Sequence, residues 1–360
     1  MVPATMRAWR YADGTTAKTL AGKLLEDSIV LDTAAPAPDK QSLAKDQFLV
    51  QVISAALNPA DYKLPESDWF GRMFGLGKDS QPGMDFSGRV VARHPSLSPS
   101  ASPFEEGQLV FGSLAKASRY GTLGEFVVAS TAELAALPAA GVSLDQAAAL
   151  GTSAGTAWTA LASLGAAAKP DTHVFVHGGS GGVGSYAVQF AKLLGAASVT
   201  ASASTANAAA VRALGADHVV DYKTTPDVAG ELALQKRTFD LVVDCAGAPA
   251  DFYERTASLL RPDGTYMQVA AAPTAGGIGK IVANMAKAAI ARRRFGFAAD
   301  KGNAEVYARL AGWVAEGKLA PVIGHTVAFE DVPAAYKMLR EGRARGKIVV
   351  RVSEPPAGRT

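Results

Sequence analysis

The chain has 360 residues, of which 48% are hydrophobic and 19% are charged, and its formal net charge is +3. This length suits two domains, and this balance is typical of a soluble globular protein. The mild positive charge lacks the dense Lys/Arg surface of a nucleic-acid-binding protein. Cys245 is the only cysteine, which excludes a disulfide framework and a cysteine-rich metal site.

No apolar run in the sequence is long enough to span a bilayer. The N-terminal segment MVPATMRAWRYADG has no apolar stretch of the signal-peptide type. The single cysteine fits a reducing compartment. We therefore expect a cytoplasmic protein.

Short strand-like segments separated by turn signals dominate the chain to about residue 150 and predict a β-rich domain. These segments are 48–57, 88–94, 108–114 and 124–130. Between the first two, residues 65–83 carry Trp69, Phe70 and Phe74 among glycines. This segment predicts either a lid over a pocket or a peripheral packed loop.

After residue 150, strand and helix patterns alternate, which predicts an α/β fold with a doubly wound parallel sheet. The predicted strands are 173–177, 198–204, 218–222, 239–247 and 263–271, and the predicted helices are 183–194, 206–214 and 251–260. The C-terminal segment reads as strand, helix and strand at 321–329, 332–342 and 346–352. We expect it to rejoin the first domain.

A glycine-rich segment, VFVHGGSGGVGSY (174–186), lies between the first of these strands and the first helix. Gly179, Gly181 and Gly184 satisfy the pattern G-x-G-x-x-G, which alone is a weak signal. In this position, however, glycines allow a tight turn and let the backbone approach a pyrophosphate at the helix N-terminus. The segment predicts a dinucleotide-binding site.

The end of the second strand distinguishes between the two nicotinamide dinucleotides. An NAD site usually places Asp or Glu about twenty residues after the glycines, on the ribose 2′-hydroxyl. This chain has Ser202, Ser204, Thr205 and Asn207 there, and no carboxylate between Gly184 and Asp217. Hydroxyl groups can donate to a 2′-phosphate without repelling it, so the sequence favours NADPH.

Nine segments spread over almost the whole chain resemble a known family. They are MRAWRY, AALNPADYK, PGMDFSGRVV, GTLGEFVV, AALGTSAGTAWTAL, HGGSGGVGSYAVQFAKLLGA, LGADHVVDY, VVDCAG and GRARGKIVV. In this order they resemble the medium-chain dehydrogenases/reductases, in the zinc-independent quinone oxidoreductase and enoyl reductase branch. The resemblance implies a GroES-like substrate domain from residues 1–151 and 299–360, an NADP(H)-binding Rossmann domain over 152–298, and a homodimer.

The departures from the zinc-binding members of this superfamily are specific. Those enzymes have Cys at the position of Asn58, a His-Glu pair at Met84-Asp85, and a cluster of four cysteines that this chain cannot form. We therefore expect no zinc site of that type. A short-chain reductase is also excluded, because no tyrosine has a lysine four residues later.

The resemblance implies a set of cofactor-binding residues. They are Thr156, Gly179, Ser180, Gly181, Gly182, Val183, Gly184, Ser204, Tyr222, Ala246, Val269 and Arg343. The loop is expected to bind the pyrophosphate, Ser204 and Tyr222 the 2′-phosphate, and Thr156, Ala246 and Val269 the nicotinamide half. Related enzymes often have a basic residue at the position of Ala206. Arg343 either replaces that residue as a contact of the 2′-phosphate or is an ordinary surface arginine.

Three side chains just after the predicted strand 48–57 are expected beside the substrate. Asn58, Tyr62 and Lys63 would donate hydrogen bonds to a substrate oxygen; Tyr62 either passes a proton or packs against the cofactor. The resemblance implies that Lys63 contacts either the nicotinamide ribose or the substrate. Hydride transfer without a metal is easiest to a conjugated acceptor, whose carbonyl spreads the incoming charge. The sequence thus predicts an NADPH-dependent reductase of a quinone or an α,β-unsaturated carbonyl compound.

Two alternatives stay open. One is an enoyl-thioester reductase acting on a coenzyme A or acyl-carrier substrate. The basic amphipathic segment 280–297 could contact the carrier. More often, such a segment is a solvated helix end. The other is a non-catalytic NADPH-binding protein. Cys245, in a strand-like segment, is expected to be buried and inert, and His173 and His177 to be ordinary strand-end residues.

Overall fold

The computed structural model describes residues 2–12, 23–67, 80–97, 100, 102–116, 118–165, 171–247, 251–269, 275–291 and 293–356. It divides into two compact units, one formed by Met1–Gly155 with Asp300–Thr360 and the other by Thr156–Ala299. Trp69, Phe70 and Phe74, on which the predicted lid depends, lie outside the described residues, as does Arg292.

The first unit is built on mainly antiparallel sheets that join both ends of the chain. Its strands are β1 (Thr5–Tyr11), β2 (Ile29–Pro36), β3 (Gln47–Leu57), β4 (Asp85–Arg93), β5 (Leu109–Ser113), β6 (Phe126–Ser130), β7 (Leu134–Ala136), β14 (Ile323–Ala328) and β15 (Lys347–Arg351). β1 pairs with β2, and a seven-stranded sheet runs β14-β15-β3-β4-β5-β7, with β6 on β3. Only β14 and β15 pair in parallel among the described strands of this unit. β3 is buried along most of its length and contacts β4, β6 and the C-terminal strand β15.

The second unit holds one six-stranded parallel sheet, which confirms the predicted α/β fold. Its strands are β8 (His173–His177), β9 (Ser198–Ala203), β10 (His218–Asp221), β11 (Phe239–Asp244), β12 (Leu260–Gln268) and β13 (Arg294–Phe297). Their order is β10-β9-β8-β11-β12-β13, and every neighbouring pair is parallel. The chain leaves β8 toward β9 on one side and later returns to β11 on the other. The edge between β8 and β11 is thus the topological switch point, where open α/β sheets bind ligands.

Nine α-helices lie within the described ranges. They are α1 (Pro59–Lys63), α2 (Leu144–Gly165), α3 (Gly182–Leu193), α4 (Ala208–Ala213), α5 (Val228–Leu234), α6 (Phe252–Ala257), α7 (Ala275–Ile290), α8 (Ala304–Ala315) and α9 (Val332–Arg340). α2 was not predicted, because its Ala, Gly, Ser and Thr residues give little amphipathic contrast. Its backbone is kinked at Gly151, where φ is −26° and ψ is −117°.

The helical interpretation of residues 280–297 is wrong at its C-terminal end. α7 stops at Ile290, and Arg294–Phe297 form the edge strand β13, paired in parallel with β12. The guanidinium of Arg294 donates to the Asp263 carbonyl rather than lying at a helix end. Pairing with the sheet overrides the local helical pattern, as tertiary contacts often do for short segments.

Candidate active site

A buried ion pair lies at the centre of the first unit. The Lys347 Nζ is 3.1 Å from Asp85 Oδ2, and the two side chains are only 2% and 0% exposed. Asp85 begins β4 and Lys347 begins β15, so the pair joins strands on either side of β3. A buried charge is tolerated when it is paired and its remaining hydrogen-bonding atoms are satisfied.

The other oxygen of the Asp85 carboxylate holds the kink in α2. Asp85 Oδ1 accepts from the Thr152 backbone N–H at 2.7 Å and from the Thr152 hydroxyl at 2.6 Å. The kink at Gly151 frees this N–H from the helix, and the carboxylate satisfies it as an N-cap would. A Cβ at Gly151 would lie 2.4 Å from the same carboxylate, so only glycine fits the close approach.

Asn58 completes this network, and its amide is directed inward. Its Nδ2 donates to Asp85 at 2.8 Å, and its Oδ1 accepts from Lys347 at 2.5 Å and from Ser153 at 3.3 Å. The residue is 2% exposed. Both polar ends of the amide are engaged within the protein, which favours a positioning role for Asn58 over the predicted role as a donor to substrate.

The short helix α1 begins directly after Asn58 and carries the other two predicted catalytic residues. The Asn58 N–H donates to Asp61 Oδ2 at 2.7 Å, which fixes the first turn of the helix. Tyr62 is 7% exposed, and the guanidinium carbon of Arg340 lies 4.2 Å from its ring centroid. This cation–π contact favours the packing role of Tyr62 over the proton-transfer role.

Lys63 is the one cation of the short helix α1. No hydrogen bond or ion pair engages its ammonium within the described part of the chain, whereas Arg340 is held by Glu26 and Glu66. Burial lowers the pKa of Lys63, and repulsion from Arg340 lowers it further. A half-buried ammonium without an internal partner is suited to donate to a ligand.

Asp61 is buried at the base of the same helix. Burial raises the pKa of its carboxyl to about 7, more than the Asn58 N–H lowers it. Its Oδ1 has no hydrogen-bond partner among the described residues. The first turn of α1 thus contains a carboxyl group whose charge is disfavoured by its surroundings.

The glycine loop of the second unit connects β8 to α3 at the switch point. Gly178 has a φ of +83°, in the left-handed region. A Cβ at Gly184 would lie 2.1 Å from the Gly178 carbonyl oxygen, and a Cβ at Gly179 would lie 2.9 Å from the Ala201 Cβ. The fold itself therefore requires three of the glycines.

Gly181 differs from these three. A Cβ added there would meet only the Gly178 carbonyl oxygen, at an ordinary contact distance of 3.5 Å. Gly181 is the N-cap of α3 and makes no side-chain cap, so the first turn of this twelve-residue helix has no capping side chain. The protein leaves room at Gly181, and the exposed N–H groups of the turn fit the pyrophosphate of a dinucleotide.

Ser202, near the end of β9, fixes the turn. Its hydroxyl accepts from the Gly178 N–H at 2.9 Å and lies 2.7 Å from His177 Nδ1, while its carbonyl accepts from the Gly179 N–H. The His177 ring stacks on Phe252 with 4.0 Å between centroids. His177 is therefore a buried support of the glycine loop.

Asp244 organises the neighbouring strand ends. Its Oδ1 accepts from the Ala246 and Gly247 N–H groups, its Oδ2 accepts from the Tyr266 hydroxyl, and its carbonyl accepts from Val269. These contacts bring Ala246 and Val269 together at the carboxyl ends of β11 and β12. A Cβ at Gly178 would touch the Ala246 Cβ at 3.4 Å, so the glycine loop adjoins them.

The predicted 2′-phosphate residues lie together at the ends of β9 and β10. The Tyr222 N–H donates to the Ala203 carbonyl at 3.1 Å, beside Ser204. Ser204 begins the 3-10 turn Thr205–Asn207, and its hydroxyl does not cap that turn. Asn207 Nδ2 donates to the Ser180 hydroxyl at 3.3 Å, which links this region to the glycine loop.

Two predicted cofactor residues remain, Thr156 and Arg343. Thr156 is buried in α2, at the first position of the second unit. Arg343 belongs to the first unit, where its 74% exposed side chain forms an ion pair with Glu341 at 3.2 Å. Cys245 follows β11 and is half-buried rather than fully buried as predicted, and desolvation raises the pKa of its thiol, which keeps it protonated.

Comparison with known proteins shows which superfamily the chain belongs to. Residues 44–142 match the model of the alcohol dehydrogenase GroES-like domain, and residues 214–350 match that of a zinc-binding dehydrogenase. The trans-enoyl reductase pgmF of Aspergillus terreus is 39% identical over 98% of both chains. The chain belongs to the medium-chain dehydrogenase/reductase superfamily.

Two further members of the superfamily extend the comparison. The trans-enoyl reductase poxH of Penicillium oxalicum is 30% identical over 97% of this chain and 98% of its own. The quinone oxidoreductase from Coxiella burnetii has a TM-score of 0.79 and 27% identity, covering 97% of this chain and 99% of that one. Reductases of this superfamily bind a nicotinamide cofactor, and the glycine loop fits one.

The chain falls in the zinc-independent branch of the superfamily. The positions that hold zinc ligands in other members carry Asn58, Met84 and Asp85, and Asp85 is fully engaged by Lys347, Asn58 and Thr152. Across the described ranges, no group of three His, Cys, Asp or Glu side chains could hold a metal ion. Nor is any helix in those ranges long and apolar enough to cross a bilayer.

The sequence analysis did not predict the roles of four residues: Asp85 and Lys347 as an ion pair in the first unit, and Ser202 as the support of the glycine turn and Asp244 as the organiser of the strand ends in the second. The signal for each was a polar or charged residue inside a buried strand pattern, as in GKIVV and VVDCAG. A charge in such a position requires a buried partner. The sequence does not identify that partner.

Proposed function

We propose that this protein is an NADPH-dependent reductase of α,β-unsaturated carbonyl compounds, and that its substrate class is the enoyl thioester. The observation that carries the proposal is the open position at Gly181 within a glycine loop at the switch point. The fold does not require a glycine there, whereas a bound pyrophosphate does. Similarity along almost the full chain to a trans-enoyl reductase supports the enoyl substrate.

Ser204 and Tyr222 support the choice of NADPH over NADH. The two residues follow the neighbouring strands β9 and β10 at their carboxyl ends, where the adenosine ribose binds in a Rossmann domain. The Ser204 hydroxyl caps no turn and makes no other hydrogen bond to the described residues. We propose that both hydroxyl groups donate to the 2′-phosphate.

The chemistry is the reduction of one carbon–carbon double bond. NADPH, when bound, supplies the hydride, which is added to the β-carbon while a proton is added to the α-carbon. We propose that the Lys63 ammonium donates a hydrogen bond to the substrate carbonyl oxygen, where negative charge develops as the hydride arrives. The thioester linkage is neither formed nor broken.

The surroundings of Lys63 supply orientation. Asn58, held by Lys347 and Asp85, fixes the N-terminus of α1, and Arg340 packs on Tyr62 at its C-terminal end. A short helix held at both ends presents Lys63 with little freedom, which limits the entropy lost when the substrate binds. Tyr62 contributes packing in this proposal.

A quinone substrate is the second candidate. The similarity to a quinone oxidoreductase over 97% of the chain favours it, and a quinone also spreads the incoming charge onto oxygen. A non-catalytic NADPH-binding protein would have the same glycine loop and would consume no NADPH. The homodimeric state and cytoplasmic location expected from the sequence remain predictions.

A substrate panel tests the proposal. NADPH oxidation is followed with crotonyl-coenzyme A, a free enone of matched chain length, and 1,4-benzoquinone at equal concentrations. We expect kcat/KM to be highest for the thioester. A higher value for benzoquinone would favour the second candidate, and tight NADPH binding without turnover on any acceptor would contradict an enzymatic role.

A further inference from the structure

A lysine lies next to the proposed 2′-phosphate site and has no other assigned role. β10 pairs in parallel with β9, with Asp221 opposite Ala203, so the residues that follow the two strands are neighbours. Tyr222 and Lys223 follow β10, and Ser204 follows β9. The strand register therefore places a lysine at the same pair of strand ends as Ser204 and Tyr222.

The Lys223 side chain extends over its neighbour and is free to bind an anion. Its Nζ lies 5.7 Å from the centroid of the Tyr222 ring, a cation–π contact. The side chain is exposed, and no carboxylate pairs with it within the described part of the protein. The Lys192 ammonium of the same unit, by contrast, is engaged by Asp217 at 3.2 Å.

Asp221, the last residue of β10, explains why a cation is needed here. Hydrogen bonds from Thr205, and from the backbone N–H groups of Lys223 and Thr224, lower the pKa of Asp221, so its charge persists. A carboxylate at this point repels a phosphate and suits a ribose 2′-hydroxyl instead. The Thr205 hydroxyl is also used by Asp221, which leaves Ser204, Tyr222 and Lys223 as the donors facing outward.

We propose that Lys223 is the cationic partner of the adenosine 2′-phosphate and sets the preference for NADPH over NADH. This inference rests on the proposed function. Lys223 offsets the charge of Asp221 and replaces the basic residue that the Ser204–Asn207 segment lacks. It also belongs to the same unit as Ser204, whereas Arg343 belongs to the other unit and is paired with Glu341.

The test measures the equilibrium binding of NADPH and of NADH to the protein by calorimetry, at two salt concentrations. In Lys223→Ala we expect roughly tenfold weaker NADPH binding, because one charge-assisted contact is lost, with NADH binding unchanged. Lys223→Arg should retain the preference and Lys223→Glu should reverse it. The matched control, Lys280→Ala, removes an exposed lysine on α7 and should change neither affinity.

The outcomes separate this inference from the proposed function. If the wild type prefers NADPH and Lys223→Ala keeps the full preference, Lys223 has no such role and the proposed cofactor stands. If the wild type binds both cofactors equally, the NADPH assignment fails and this inference fails with it. A salt dependence of NADPH binding that is weaker in Lys223→Ala than in the wild type supports the inference, because one phosphate contact is lost.

Discussion

The Lys347 ammonium lies 3.1 Å from the Asp85 carboxylate, although 262 residues separate them in the sequence. With Asn58 and Thr152, this pair connects β4, β15, the start of α1 and the kink of α2. The zinc-binding members of the superfamily place metal ligands at two of these positions. In this chain the same positions hold a self-contained network of hydrogen bonds that supports the helix carrying Lys63.

Removing the ammonium of this pair should strongly destabilise the first unit. In Lys347→Met, the Asp85 charge stays buried without its cation, so we expect a loss of about 3–5 kcal/mol in the free energy of unfolding. Urea denaturation measures it. The double variant Asp85→Asn, Lys347→Met should be more stable than the single variant, because no buried charge is left.

The matched control is Lys318→Ala. Lys318 pairs with Glu316 at 2.6 Å, but both side chains are more than half exposed. Its removal should change the unfolding free energy by less than about 1 kcal/mol. A Lys347→Met variant no less stable than this control would show that the buried pair contributes nothing.

Asp61 should make stability depend on pH between its unfolded and folded pKa values. Burial raises its pKa from 3.8 to about 7, so the folded protein keeps a proton that the unfolded chain has released. The contribution to stability is therefore complete below pH 3.8, falls as the pH rises through this window, and is gone above about 7.

Asp61→Asn tests this dependence because the amide does not titrate and still accepts from the Asn58 N–H. Unfolding free energies at pH 5 and pH 8 should differ less in this variant than in the wild type. Asp300, whose pKa burial raises to about 6, acts in the same direction in both proteins and does not affect the comparison. Equal pH dependence in both proteins would contradict the assignment.

Lys63 should give the reaction an alkaline limit. If its ammonium stabilises charge on the substrate oxygen, activity must fall as it loses its proton, and its lowered pKa brings that fall below the pH of an ordinary lysine. Lys63→Arg should stay active to higher pH, and Lys63→Met should lose about 100-fold in kcat with the cofactor affinity retained. A Lys63→Met variant with the wild-type kcat and pH profile would remove this residue from the mechanism.

Substitution by alanine should affect cofactor binding at one glycine of the loop and stability at another. Gly181→Ala leaves the fold intact, because the new Cβ meets no protein atom closer than 3.5 Å, but it should weaken NADPH binding. Gly184→Ala brings its Cβ to 2.1 Å from a carbonyl oxygen and should lower the melting temperature of the cofactor-free protein. Gly181→Asp should abolish binding by opposing the pyrophosphate charge; unchanged NADPH affinity would refute the site.

The parallel strands were the most predictable part of the fold. β8 was predicted at 173–177 and lies there, because a buried parallel strand is a short, continuous apolar run between turn signals. β12 begins at Leu260, three residues before the predicted 263. Pro262, Asp263 and Gly264 resemble a turn, but β12 pairs with β11 through a register shift at this point.

The candidate site was predictable only where its residues are close in sequence. The glycine loop has a local pattern, and its chemistry follows from strand, turn and helix. The environment of Asn58 depends on Asp85, Ser153 and Lys347, which only the folded chain brings together. A sequence indicates that Lys347 needs a buried partner, whereas the partner is decided by the pairing of β15 with β3 and of β3 with β4.

The most direct test of the proposed function follows the transferred hydride itself. The protein is incubated with crotonyl-coenzyme A and NADPH that carries deuterium at its transferable position, in ordinary water, and the product is examined by mass spectrometry and NMR. The account predicts butyryl-coenzyme A with a single deuterium on the β-carbon and a solvent proton on the α-carbon. Failure to form the saturated thioester, or a product without deuterium on the β-carbon, would contradict it.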